Sequence, residues 1–261
     1  SLIREITLVA GRPYIEIRNI VDKIAVTEKE GLHFGFGFNI PYPVTRFDIP
    51  WGVVELEKDQ LPAANRNWIT FQRWLDISNN ERGVTLCSLD APMFQNGTIT
   101  ANVLGAATSS PKWIRGLESS PTIYSWALNN HWHTNFPLSQ EGIITFRYRI
   151  FPHNSGYDPG KANKFGIEQN QPLIAVPVKP GIHWGQPFTL NGSDKVYVSI
   201  IKAGSYEEPS KIRLRSVSMK DETVDIIWKD LIPSSVYLSG QKICDELTVP
   251  AMGFVTLEVH Y

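Results

Sequence analysis

The sequence predicts an all-β protein, and three observations carry that prediction. Apolar and polar residues alternate with a period of two along most of the chain. Clusters of Gly, Pro and Asn break these runs about every 8–12 residues, the spacing of sandwich strands. No window sustains a 3.6-residue period. The 19 glycines and 18 prolines supply the breaks, and 42% apolar residues in a chain of 261 are enough to bury a core in one large domain or in two modest ones.

The elements follow in order. Residues 5–21 (EITLVAGRPYIEIRNIV) read as a hairpin turning at Gly11-Arg12-Pro13. GLHFGFGFNI is the clearest strand. Leu32, Phe34, Phe36, Phe38 and Ile40 fall on one face, because successive side chains of a strand point to opposite sides. A one-residue slip would expose all of them, so the register is firmly set. The other face, with Gly31, Gly35 and Gly37, predicts another backbone packed close by. Asp59–Asn65 allows a short helical turn. GVTLCSL, TITANVL, ITFRYRIF, KVYVSIIKA, KIRLRSVSM, TVDIIW and FVTLEVHY are further strands by β-branched content and alternation. Residues 153–194 are rich in Pro, Gly and Asn and weakly periodic, and mark the passage from a larger to a smaller unit. The expected domains are 1–180 and 181–261. Ser1 leads at once into strand-like sequence, without an initiator methionine or a targeting segment, from which a piece of a longer chain is expected.

Charge and hydropathy remove several function classes. The 25 basic and 26 acidic residues leave a net charge of −1, without the basic surplus that displaces counterions from nucleic acid. No apolar stretch approaches the roughly 20 residues that span a bilayer. No partner of either kind, nucleic acid or membrane, is expected. Cys87 and Cys244 sit in strand-like contexts and are expected to be buried free thiols. The sequons at Asn96 and Asn191 each fall in an Asn-Gly turn and are expected to be exposed.

The densest polar and aromatic run is WALNNHWHTNFPLSQEG, holding Asn130, His131, Trp132, His133 and Glu141. On one strand His131 and His133 would share a face about 7 Å apart, a spacing that allows a shared metal. No H-x-x-x-H or C-x-x-C accompanies the pair, so no metal or cofactor is expected in this chain. A polar network facing a groove, or hydrogen-bonded structural residues, are the readings left open. Arg66, Trp68, Gln72, Arg73 and Trp74 form a second candidate: either a sugar-facing or domain-facing surface, or a cation–π pair within the fold. Asp48, Glu55, Glu57, Asp59, Asp76, Asp90 and Glu141 are the candidates for the carboxylate pair of glycoside hydrolysis, and none sits in a motif that demands convergence. There is no G-x-S-x-G, P-loop or dinucleotide fingerprint.

The runs PYIEIRNIVDK, GLHFGFGFNI, DQLPAANRNW, GVTLCSLDAP, NNHWHTNFPLSQEGIITFRYRI and FVTLEVHY, in this order, resemble the C-terminal β-region of glycoside hydrolase family 38, the α-mannosidases, in bacterial form. The resemblance implies a large galactose-mutarotase-like β-supersandwich, with its first strands missing here, followed by a smaller sandwich. It implies that the zinc, the nucleophile and the acid/base of the parent enzyme belong to an N-terminal catalytic domain, on which this region packs. The isolated chain is then expected to be inactive. Asn130, His131, Trp132, His133, Arg73 and Trp74 are the candidates for contact with carbohydrate, a mannoside. Where eukaryotic members carry an Arg-Arg pair after the strand matching TITANVLG, this chain has GAATSSP, so that contact does not transfer. A free-standing carbohydrate-binding module and a mutarotase-like epimerase using His131, His133 and Glu141 are the alternatives. The compartment stays open between bacterial cytoplasm and periplasm.

Overall fold

A computed structural model describes residues 1–100, 113–130, 137–177, 185–205, 208–244 and 246–261. The chain forms two compact units, one of Ser1–Asp158 with Lys164–Pro172, the other of Pro159–Asn163 with Leu173–Tyr261.

The first unit is a sandwich of two antiparallel sheets. Its larger sheet is built from β1 (Leu2–Leu8), β2 (Ile15–Lys23), β4 (Val44–Ile49), β5 (Gly52–Glu55), β7 (Trp74–Ser78), β8 (Gly83–Ser88) and β11 (Gly142–His153). They lie in the order β1-β2-β11-β8-β7-β4-β5. The smaller sheet has the order β3-β10-β9-β6, with β3 at Gly31–Gly37, β6 at Ile69–Thr70, β9 at Met93–Asn96 and β10 at Thr122–Asn129. The predicted hairpin is present: Leu8 pairs with Ile15, and Gly11 takes the positive φ of 77° that the turn needs.

The alternation of β3 becomes half of a core. Phe34 and Phe36 are buried and meet β11, with Phe34 to Phe146 ring centroids 5.6 Å apart and Phe36 to Tyr148 4.9 Å. Ser125 of β10 shares a 2.9 Å hydrogen bond with the Tyr148 hydroxyl, so this polar tip within the layer is satisfied. On the glycine face the expectation of a close backbone is corrected. The side chain of Tyr124, the cross-strand partner of Gly35, covers that glycine, and a Cβ there would lie 3.2 Å from its ring.

The second unit pairs a three-stranded sheet with a five-stranded one. The first has the order β12-β15-β18, from β12 (Phe188–Asn191), β15 (Glu222–Trp228) and β18 (Glu246–Val249). The second has the order β13-β14-β19-β16-β17, from β13 (Val196–Lys202), β14 (Ser210–Ser216), β16 (Ser235–Leu238), β17 (Gln241–Ile243) and β19 (Phe254–His260). Ile212, Leu214, Val224, Val249 and Leu257 form its core.

The all-β expectation holds, with one helix among the described residues that the sequence did not announce, α1 at Pro159–Asn170. Asp158-Pro159 begins it as an N-cap and a first-turn proline would. Ala162, Phe165, Gly166 and Gln169 are buried, a 3.6-residue repeat. Two of those four are Gly and Gln, so a search for apolar periodicity passes over the segment. Two further expectations are corrected. Asp59–Asn65 makes hydrogen-bonded turns, with Ala64 N–H donating to the Leu61 carbonyl, and no helix. The described part of TITANVL, Thr98–Thr100, is not a strand, and the Thr100 hydroxyl donates to the Asn67 carbonyl. Residues 101–104 lie outside the described residues.

Candidate functional site

The candidate site is a cavity of about 730 Å³ in the first unit, at one end of β2, β3 and β10. That volume lies in the range of small-molecule sites, about 300–1,000 Å³. A bulge in β10 shapes it. The register shifts between Trp126, paired with His33, and Leu128, paired with Leu32. The extra residue, Ala127, carries Leu128 onto the core face beside Leu32, and both side chains line the cavity with Asn129 and Asn130.

Asn130 holds the rim together. Its backbone N–H donates to the Glu30 carbonyl at 2.8 Å. Its side-chain amide donates to the Glu28 carbonyl at 3.1 Å and to the Leu138 carbonyl at 2.6 Å. One residue therefore ties the β2–β3 connection to the segment after residue 136. Lys23, at the end of β2, forms an ion pair with Glu30, and the two charges cancel at the cavity wall. What remains is a mostly apolar hollow rimmed by amides and by Ser139 and Gln140. Such a surface suits a neutral polyhydroxylated ligand better than a charged one, since among the described residues no uncompensated charge lines it. His131, Trp132 and His133, the heart of the sequence-derived site, lie outside the described residues, directly after Asn130.

The second candidate sorts itself differently. Trp74 is fully buried, and Arg73 donates to Asp48 through its Nε at 2.7 Å. The Asp48 carboxylate also accepts the backbone N–H groups of Arg73 and Trp74. Trp74 therefore lies inside the first unit, and the Arg73 guanidinium is engaged by Asp48. Arg66 likewise donates to Glu57 at 2.6 Å. Trp68 lies against Trp126 and Trp113 with centroids 5.9 and 6.0 Å away.

The remaining carboxylates are committed to the fold. Glu55 accepts from Arg46, Asp59 from the Glu55 backbone, and Glu141 from Ser139. Asp90 takes two bonds from the Arg147 guanidinium and one from its backbone N–H. Burial works to raise the Asp90 carboxyl, but these Arg147 donors outweigh it and hold the group below its ordinary range. Asp76 is buried and accepts from Ser78, Thr85 and His153. His153 was not singled out by sequence. It sits 77 residues from Asp76, and no local pattern announces such a pair. Its other ring nitrogen faces the Ser155 carbonyl at 2.9 Å, so the imidazolium form satisfies both acceptors.

Cys87 is buried, and burial followed by the nearby Asp48 charge pushes its thiol up, away from nucleophilic use. Cys244 corrects the expectation of two buried thiols, since it lies outside the strands and is exposed. Asn96 is likewise corrected: it is buried at the end of β9, donating to the Glu118 carbonyl, while Asn191 is exposed as expected. Among the described residues no group of three or more His, Cys, Asp or Glu could hold a metal, and no helix is long and apolar enough to cross a membrane.

Fold and site define a two-unit β-sandwich protein with a neutral, amide-rimmed hollow. No family model matches the sequence, and no curated protein matches it. Solved structures do share its fold. An α-mannosidase from Enterococcus faecalis V583 superimposes over 98% of this chain with a TM-score of 0.70 at 11% identity. A glycosyl hydrolase family 38 protein from Enterococcus faecalis does so over 98% with a TM-score of 0.67 at 12% identity. The chain spans 28% and 29% of the lengths of those two proteins. The fold expected from the residue runs is thus the fold of a part of family 38 glycoside hydrolases.

Proposed function

We propose that this chain is the C-terminal β-region of an α-mannosidase-like glycoside hydrolase, packing on the parent's catalytic domain and lining its glycan groove. The likeness of fold over 98% of the chain, to under a third of each matched protein, carries the reading. In this reading the parent's zinc and reacting carboxylates belong to the catalytic domain. Asn130 holds the rim, and His131, Trp132 and His133, next in sequence, are the residues proposed to contact the glycan. The neutral character of the hollow supports carbohydrate rather than a charged ligand.

The test compares two proteins on an aryl α-mannoside. The purified chain is expected to release no product, and the full polypeptide of its gene to release it. Turnover by the chain alone, abolished by changing a residue within it, would overturn the proposal. In the full polypeptide, Trp132→Ala is expected to weaken mannoside binding measured by calorimetry. Unchanged affinity would remove the cluster from the groove.

A further inference from the structure

We infer that Asn191 is a site of spontaneous deamidation, and that the reaction turns a row of two carboxylates on the second unit into a row of three. The chain has two Asn-Gly pairs, Asn96-Gly97 and Asn191-Gly192. In such a pair the glycine backbone nitrogen can attack the asparagine amide carbon, because no Cβ shields it. A new N–Cγ bond closes a five-membered succinimide ring. The side-chain nitrogen leaves as ammonia, taking the proton of the glycine N–H. Water then opens the ring at either carbonyl. One product is Asp. In the other, the isoaspartyl form, the main chain runs through the former side chain and is one carbon longer.

The structure separates the two pairs. Asn96 is buried, its side-chain amide donates to the Glu118 carbonyl at 3.3 Å, and the Gly97 N–H donates to the Thr122 carbonyl at 2.9 Å. The group that must leave and the group that must attack are both held there. Asn191 is exposed and is the last residue of β12. It lies opposite Asp225 of β15 in an antiparallel ladder. The Lys229 N–H donates to the Pro187 carbonyl at 3.0 Å, which makes 187 and 229 a hydrogen-bonded pair. Such pairs recur at every second residue, so Asn191 and Asp225 are another, and the Gly192 N–H points away from β15. The attacking nitrogen is therefore outside the ladder. Swinging it toward the side chain, about ψ of Asn191, breaks only the terminal bond from the Asp225 N–H to the Asn191 carbonyl. Gly192 has a φ of 107°, and a Cβ there would stand 2.7 Å from the Thr223 carbonyl oxygen, so the backbone selects the very residue that makes the pair reactive.

The product changes the charge of the sheet. Val224 and Ile226 turn into the core, so Asp225 between them and its partner Asn191 turn to the other face. On its other side Asp225 is paired with Glu246 of β18. A carboxylate at 191 extends that row across β12, β15 and β18, and like charges directly opposite each other are destabilising.

Ageing the purified 261-residue chain in mildly alkaline buffer, followed by peptide mass spectrometry, tests the site. Asn191 is expected to gain one mass unit at least about tenfold faster than Asn96, whose reaction waits on local opening of β9. In denaturing urea the two rates are expected to converge. Asn191→Gln, which closes only a six-membered ring, is expected to stay unmodified over the same time. Equal native rates at the two sites, a faster Asn96, or a ratio that survives unfolding overturns the inference. Hydrogen exchange tests the charge row. The amides of Phe188–Asn191 are expected to exchange about two- to fivefold faster in Asn191→Asp at neutral pH, and to lose that difference in an Asp225→Asn background. Exchange equal to that of the parent, or an acceleration that persists with Asp225→Asn, overturns the row.

Discussion

Gly166→Ala sets local propensity against packing, and the structure decides the sign. Glycine inside a helix costs about 1 kcal/mol relative to alanine, so α1 considered alone gains stability from the change. The new methyl carbon, however, would stand 2.3 Å from Cδ1 of Trp74, 3.1 Å from Cγ and 3.2 Å from Nε1. Ordinary carbon contacts are about 3.5–4.0 Å, so indole and helix must part by more than about 1 Å. Trp74 has no room to yield. It is fully buried, its ring lies 6.0 Å from that of Tyr157, and its backbone N–H donates to Asp48. The helix is held from its other end as well, where Asn170 donates to the Arg73 carbonyl at 3.2 Å. Overpacking of this kind costs about 1–3 kcal/mol, and an unyielding site belongs at the upper end. The expected net effect is a loss of about 1–2 kcal/mol, read from urea unfolding, or about 2–8 °C in melting temperature. Trp74→Phe supplies the internal control. A smaller ring leaves space for the methyl group, so Gly166→Ala should cost less in that background, a coupling that a double-mutant cycle isolates. A Gly166→Ala variant as stable as the parent, or more so, would refute the contact between helix and strand.

The other predictions are simpler to read. One thiol, Cys244, is expected to react with a disulfide reagent in the native protein and two in denaturant; two native equivalents would contradict the burial of Cys87. Asp90 holds its proton less firmly folded than unfolded, so its contribution is present above the unfolded carboxyl range and lost as pH falls through the lower folded value. Asp90→Asn should therefore flatten the acid side of the stability profile, at a cost near neutrality of up to about 1 kcal/mol for so exposed a pair. An unchanged acid limb would show that the pair contributes nothing. Asn130→Ala removes two donors to the Glu28 and Leu138 carbonyls and should cost about 1–2 kcal/mol, with faster amide exchange in 24–30 and 137–141. Exchange unaltered in both segments would deny Asn130 its role at the rim.

Much of the fold was legible because strands declare themselves locally. The Phe34–Phe36 face, the turn at Gly11 and the run GVTLCSL each carry their structure in a few adjacent residues. The site was legible only at its edge. Asn130 was singled out with its neighbours for polarity, but its role comes from carbonyls 102 and 8 residues away. Arg73 and Trp74 suited a surface as well as an interior, since a cation beside a ring is stable in both. Asp48, 25 residues before Arg73, is what its guanidinium meets, and no local pattern points to it. Asp76 and His153 lie farther apart still, and no spacing rule links them.

The sequence by itself determined that the chain is β-sheet, where most strands run and which of their faces turn inward, because a period of two is a local property of the backbone. Only the tertiary structure decided that Pro159–Asn170 is a helix, since its buried stripe includes Gly and Gln and is specified by the Cδ1 edge of Trp74 rather than by hydrophobicity alone. Only the structure, too, showed that Leu2, Ile6 and Leu8 are exposed although they pair with Val21, Ile17 and Ile15. Alternation tells which way a side chain points; what it meets there depends on strands brought together from across the chain.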